Sequence, residues 1–144
     1  MDRSLFFDQL IKRAGALSCD ELDQFFAGLE PVDIDETLGE WRGGYLKGWK
    51  FFFRNFILFK WLGKHFISAE KARAQVWFVL GFKISFGLGN SRLRRIEFRD
   101  KVSTALIYNY LPLIDHFRKV DDKILMGIME IKGRIQVYFY LQRI

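Results

Sequence analysis

Between residues 4 and 17 apolar side chains recur at three- and four-residue steps, and Leu5, Phe6, Leu10, Ile11 and Leu17 predict a helix there. Ser18-Cys19-Asp20-Glu21 follows, a hydroxyl three residues ahead of a carboxylate, which is the pattern that opens and caps a second helix. That helix runs to about Leu29, with Leu22, Phe25, Phe26 and Leu29 on one stripe. Glu30-Pro31 ends it. A helical pair this short is unstable alone and must lay its stripe on the rest of the chain.

From Leu38 onward the period changes to that of sheets. Gly39-Glu40-Trp41-Arg42-Gly43-Gly44-Tyr45 mixes aromatics with glycines, as strands do where two backbones come close. Strands are expected near 64–67 and 72–78, with Ser68-Ala69-Glu70-Lys71 turning between them. Residues 94–108 alternate over their whole length and predict one strand. Ile96, Phe98, Val102, Thr104, Leu106 and Tyr108 lie on its inner side, and Glu97, Arg99, Lys101 and Ser103 on its outer side. The last third reads as a meander, with turns at 109–112, 121–123 and 132–134 between apolar runs 113–120, 124–131 and 135–143. Ile135, Val137, Phe139 and Leu141 share one face of the final run. This is an α+β chain, mainly β: a small antiparallel barrel with a helical arm. One domain covers 1–144, with the arm at 1–30, the barrel at 37–144 and a helical insertion near 49–62.

Composition adds a reason to expect a ring-lined interior: 16 Phe stand against 2 Pro, and 17% of residues are aromatic. Charge is divided unevenly. Residues 1–40 hold 10 acids and 3 bases, residues 41–144 hold 7 and 20, so an acidic arm faces a basic body. The single Cys19 excludes an intrachain disulfide and a cysteine-based zinc site. His65 and His116 are the only histidines and have no metal-ligand spacing, so neither metal nor cofactor is expected. No Gly-x-Ser-x-Gly elbow or P-loop order appears. The N-terminus carries acids where a secretory leader needs bases, and the longest uncharged run, 102–114, is far short of a membrane span. The chain is expected to be cytoplasmic.

The pentapeptide Gly39-Glu40-Trp41-Arg42-Gly43 resembles the GXWXG protein family, whose members carry it near the N-terminus beside a companion C-terminal domain of unknown function. Leu111-Pro112-Leu113-Ile114-Asp115-His116-Phe117-Arg118-Lys119-Val120-Asp121-Asp122 and Tyr138-Phe139-Tyr140-Leu141-Gln142-Arg143 are similar to that companion domain. The resemblance covers roughly residues 20–144, except 49–92, which is richer in Phe, Trp and Lys. It implies an architecture and no reaction. The Gly-x-Trp element is also similar to that of lipocalins and fatty-acid-binding barrels. That likeness implies that Gly39, Trp41 and Gly43 close one barrel end, with Arg143 packed over the indole.

Three groups of side chains could carry function. Asp100 falls on the inner row of 94–108, where a carboxylate needs a partner, and Arg118 or His116 on a nearby strand could supply it. The other reading is a bulge that turns Asp100 back to solvent. Adjacent Asp115 and His116 must point to opposite faces of their strand, and alternation alone leaves open which of them is inside. The expected ligand shortlist is Asp100, His116, Arg118, Phe98, Tyr138 and Tyr140. The third group is 49–64: read as a helix, it gathers Lys50, Arg54, Lys60 and Lys64 on one side and Phe51, Phe52, Phe56, Leu58, Phe59 and Leu62 on the other. Such a helix is either a gate over a barrel mouth or a contact with an anionic membrane surface.

These features favour non-enzymatic binding of a small hydrophobic or amphipathic, lipid-like ligand inside the barrel. The second reading is a peripheral binder of anionic lipid or nucleic acid, with nucleic acid the lesser option, using the basic residues of 49–64 and Arg92, Arg94 and Arg95. The third is a small hydrolase or isomerase using His116 with Asp100. Oligomeric state is not legible.

Overall fold

The computed structural model describes residues 3–48, 59–78, 83–84 and 89–144. Among these residues, helices α1 (Arg3–Lys12), α2 (Cys19–Ala27) and α3 (Ile34–Thr37) precede nine strands. These are β1 (Gly39–Gly48), β2 (Phe59–Ser68), β3 (Lys71–Phe78), β4 (Lys83–Ile84), β5 (Asn90–Phe98), β6 (Lys101–Tyr108), β7 (Leu113–Asp121), β8 (Ile124–Ile131) and β9 (Arg134–Arg143). The order β2-β1-β9-β8-β7-β6-β5-β3 closes on itself through the antiparallel pair β2–β3, giving an eight-stranded antiparallel barrel. Strand β4 adds to β3 beyond the short β3–β5 pairing. No helix among the described residues is long and apolar enough to cross a membrane.

The arm forms as its sequence dictates. Ser18 caps α2, its hydroxyl accepting the Glu21 N–H at 3.1 Å. Helix α1 stops at Lys12, short of the expected 17. Helix α3 is an addition: Asp33 and Glu36 form a reciprocal capping box.

Residues 94–108 are not one strand. They are a hairpin, turned at Arg99 and Asp100, both in the left-handed region at φ 51° and 67°. Phe98 pairs with Lys101, so an even-numbered residue of β5 shares a face with an odd-numbered residue of β6. The alternation therefore runs through the turn, but its inside and outside exchange. On β6 the expected inner residues Thr104, Leu106 and Tyr108 do face inward; on β5 the inward residues are Ser91 and Leu93. The helical reading of 49–62 is corrected at its end, because Phe59–Ser68 is strand; residues 49–58 lie outside the described residues.

Two cores result. Inside the barrel lie Trp41, Phe66, Leu93, Leu106, Phe117, Phe139 and Leu141, contributed by strands from all round the wall. Outside it, Phe7, Leu10, Leu22 and Phe26 of the arm cover Leu46, Met126, Ile128 and Tyr138. Two glycines make room for rings. A Cβ at Gly127 would run into Phe139 inside, and one at Gly44 into Tyr140 outside. A register shift between Met129 and Glu130 turns Ile135 out of the inner row that Val137, Phe139 and Leu141 keep.

One end of the barrel is sealed. Strands β6 and β7 pair only over 105–107 and 114–116, and the chain after α2 fills the gap beyond. The Val32 N–H donates to Ser103 Oγ at 2.9 Å, and Val32 O accepts from Thr104 Oγ1 at 2.7 Å. Trp41 closes this end, its Nε1 donating to Thr37 O at 2.7 Å, with the Arg143 guanidinium 4.2 Å above its ring. Arg143 also donates to Leu38 O at 2.8 Å and to Glu36 O at 2.5 Å. Gly39, at φ 125°, leaves the space: a Cβ there would stand 2.8 Å from the guanidinium. The contact expected between Trp41 and Arg143 is therefore present.

Trp41 is 1% exposed. Trp41→Ala is expected to lower stability by about 3–5 kcal/mol, as for other large rings cut from cores, measured by urea denaturation. A melt like that of the unaltered protein would remove Trp41 from the closure.

Candidate functional site

Among the described residues, the barrel interior holds one buried ion pair. Lys64 on β2 and Asp115 on β7 are 2% and 1% exposed, and their Nζ and Oδ2 atoms are 2.8 Å apart. In the strand order β2 and β7 stand on opposite walls, so the pair spans the lumen. Tyr108 on β6 completes the cluster. Its hydroxyl accepts from Lys64 Nζ at 2.7 Å and donates to Asp115 Oδ2 at 3.2 Å. The ammonium also lies 5.1 Å from the centre of the Tyr108 ring and 5.7 Å from that of Phe139.

The electrostatics of the three groups are interlocked. Burial, the largest single influence, pushes the Lys64 ammonium down, but the Asp115 carboxylate and the Tyr108 oxygen beside it together outweigh that cost and its pKa is raised. Burial, followed by the Asp115 charge, pushes the Tyr108 phenol up to about 12. Lys64 is thus a fixed cation and Tyr108 a neutral donor at ordinary pH. Asp115 Oδ1 is buried and accepts no hydrogen bond from any described residue. A carboxylate oxygen in that state is a vacant acceptor aimed into the interior.

The alternative left open by alternation is settled: Asp115 faces inward and His116 outward. His116, Arg118, Tyr138 and Tyr140 lie on the outer wall, and Phe98 packs with them beneath the arm. The ligand shortlist is corrected in position for all six residues. Asp100 is at solvent, as the second reading has it, but a two-residue hairpin turn rather than a bulge puts it there.

What these outer residues do is attach the arm. His116 Nε2 lies 2.6 Å from Glu130 Oε1, and the Phe98 ring stacks on the imidazole at 3.8 Å. The His116–Asp100 dyad is not the pairing observed. Arg118 is 1% exposed and donates to three carbonyls, Phe26 O at 2.8 Å, Phe98 O at 2.9 Å and Arg99 O at 3.1 Å. It therefore ties the end of α2 to the β5–β6 turn, with its cation at the carbonyl end of the helix. Tyr138 donates to Asp23 Oδ1 at 2.8 Å.

The basic set of 49–64 also divides. Lys64 is interior rather than surface, Lys60 lies on β2 with its side chain outside the described residues, and Lys50 and Arg54 lie outside them altogether. No group of three or more potential metal ligands occurs among the described residues.

Residues 24–78 match the model described as GXWXG protein, and residues 89–143 match the domain of unknown function DUF4334. The chain belongs to the GXWXG family. A crystal structure of a protein from Thermomonospora curvata is similar over 100% of this chain and 99% of its own, at 32% identity and a TM-score of 0.85. No curated protein matches. The two family matches divide the cluster between them, since Lys64 falls in the GXWXG part and Tyr108 and Asp115 in the companion domain. The cross-barrel pair thus joins the two matched regions into one interior.

Breaking this pair should cost far more than replacing it. Asp115→Leu strands a buried ammonium and is expected to lose about 3–5 kcal/mol, whereas Lys64→Met with Asp115→Leu together should recover most of that. Urea denaturation of the double-mutant cycle measures the difference, and additive losses would show that the charges do not interact. Alkaline pH should act in the same direction. Both Lys64 and Tyr108 have raised folded-state pKa values, so their stabilisation is complete below the unfolded values near 10. It is lost as pH rises from about 10 through 12. The melting temperature should fall across that window, and less steeply in the double variant.

Proposed function

We propose that this protein is a non-enzymatic carrier that binds a small amphipathic, lipid-like ligand in the barrel, through the end opposite Trp41. The ligand's apolar body lies against the aromatic wall and its polar end reaches the Lys64–Asp115–Tyr108 cluster. The observation that supports this reading is the vacant Asp115 Oδ1. In an interior of rings and aliphatic side chains whose Ser91 and Thr104 hydroxyls already donate to carbonyls, an acceptor lacking a donor orients a ligand that brings one. The ligand's polar end is then a hydrogen-bond donor, such as a hydroxyl or an amine. A fatty carboxylate would meet Asp115 as a like charge, and the ammonium that could compensate is already engaged.

Native mass spectrometry of the protein from its own cells should show an added mass corresponding to such a compound. Displacement of Nile red by dodecanol, but not by dodecanoate, should give the same preference in solution. Lys64→Met with Asp115→Leu should keep the barrel folded and weaken dodecanol binding by about 1–3 kcal/mol, the usual consequence of a lost buried hydrogen bond. An apo mass together with no displacement by either compound would sink the carrier reading.

A further inference from the structure

At the end of the barrel opposite Trp41, the β6–β7 loop is Asn109-Tyr110-Leu111-Pro112, and its tip is apolar and open. Tyr110 is 69% and Leu111 36% exposed. A folded chain gains nothing in the monomer from leaving a tyrosine and a leucine side by side in water. Leu111 and Pro112 also line a groove of about 260 Å³ whose other wall includes Lys132 and Gly133 of the β8–β9 turn. The apolar tip and the basic turn are therefore one surface.

Among the described residues, the exposed charge beside this tip is basic. Lys132 and Arg134 are exposed on one side. On the other, Arg92 donates to Asn109 Oδ1 at 2.7 Å, holding a third cation against the base of the loop. Neither loop contains an acid. The one carboxylate lining the groove is Glu130, which already pairs with His116 at 2.6 Å.

We infer that this end of the barrel docks on an anionic lipid surface, Tyr110 and Leu111 entering the headgroup region while Arg92, Lys132 and Arg134 face the lipid phosphates. Tyrosine suits that depth because its ring is apolar and its hydroxyl stays wet. The basic turn supplies long-range attraction, and the tip supplies a short-range apolar contact too small to hold alone. The inference does not depend on the carrier reading, because none of its residues belongs to the interior cluster.

Co-sedimentation of the full chain with vesicles tests it, using phosphatidylcholine alone and phosphatidylcholine with about one-third phosphatidylglycerol. Binding should occur only to the anionic vesicles and fall steeply as salt rises. Lys132→Asn with Arg134→Gln should weaken it at least tenfold, on about fivefold for each cation removed; asparagine suits Lys132 because the backbone there is left-handed, at φ 51°. Tyr110→Ser with Leu111→Ser should weaken it severalfold while leaving the salt dependence. Circular dichroism melts of both variants should match the parent, since every altered side chain is exposed. Binding unchanged in both double variants would overturn the assignment, as would no binding to anionic vesicles at low salt. A concentration-dependent dimer that Tyr110→Ser with Leu111→Ser abolishes, without vesicle binding, would also overturn it and give the surface to a second copy.

Discussion

The Lys64–Asp115 pair is the contact on which the barrel's interior is arranged. Two ions taken from water lose several kcal/mol each, and only close mutual approach with further hydrogen bonds offsets that loss. Both conditions hold here, at 2.8 Å and with Tyr108 bonded to each partner. The pair connects opposite walls, so its geometry survives only while the sheet is closed through β2 and β3. A slip of one residue in either strand would swing one charge out of the lumen and leave the other unpaired. The pair therefore specifies register and closure, while the surrounding rings supply most of the burial. Phe117 shows that division of labour. It stands two residues from Asp115 on the same face, with the rings of Phe66 at 5.6 Å and Phe139 at 5.8 Å.

The outer wall solves a different problem. A small barrel normally leaves its outside to water, but β7 and β8 are buried on both faces because the arm covers them. That burial explains why His116 and Arg118, polar groups on an outer face, are nonetheless 4% and 1% exposed. Each is satisfied locally, His116 by Glu130 and Arg118 by three carbonyls of α2 and the β5–β6 turn. The acidic arm also meets basic groups of the body, as at Asp23–Arg99, 2.8 Å apart, and Arg13–Glu21 holds the arm to itself at 3.2 Å. At such exposure these pairs orient the arm more than they stabilise it.

The two ends of the barrel differ in kind. One is filled by Val32 and Trp41 and locked by Arg143 onto the carbonyls of Glu36 and Leu38. The other carries an apolar loop tip beside a basic turn, with the charged cluster inside.

Much of this was legible in the residues themselves. Strand period, the turns at 109–112 and 132–134 and the capped α2 are local or near-local facts, fixed by backbone sterics and by residue types that permit few alternatives, whereas the Trp41–Arg143 closure joins residues far apart in the chain and was implied by the Gly-x-Trp resemblance. The two family matches span 24–78 and 89–143, which hold most of those segments. The inward residues of β5 and β7 were not legible, for a physical reason. Alternation states which side chains share a face, and it identifies the inside only where one face is apolar and the other polar. On β7 both faces are buried, so Asp115 and His116 read alike until register places Asp115 opposite Leu106 and Met129. The Arg99-Asp100 turn exchanged inside and outside without interrupting the pattern, and Lys64 resembled one more surface lysine in a basic stretch. The sequence alone determined that a barrel with a helical arm would form. Closure, the two-residue turn and the bulges decided which of its charges went inside, because each depends on strands far apart in the chain meeting in one register.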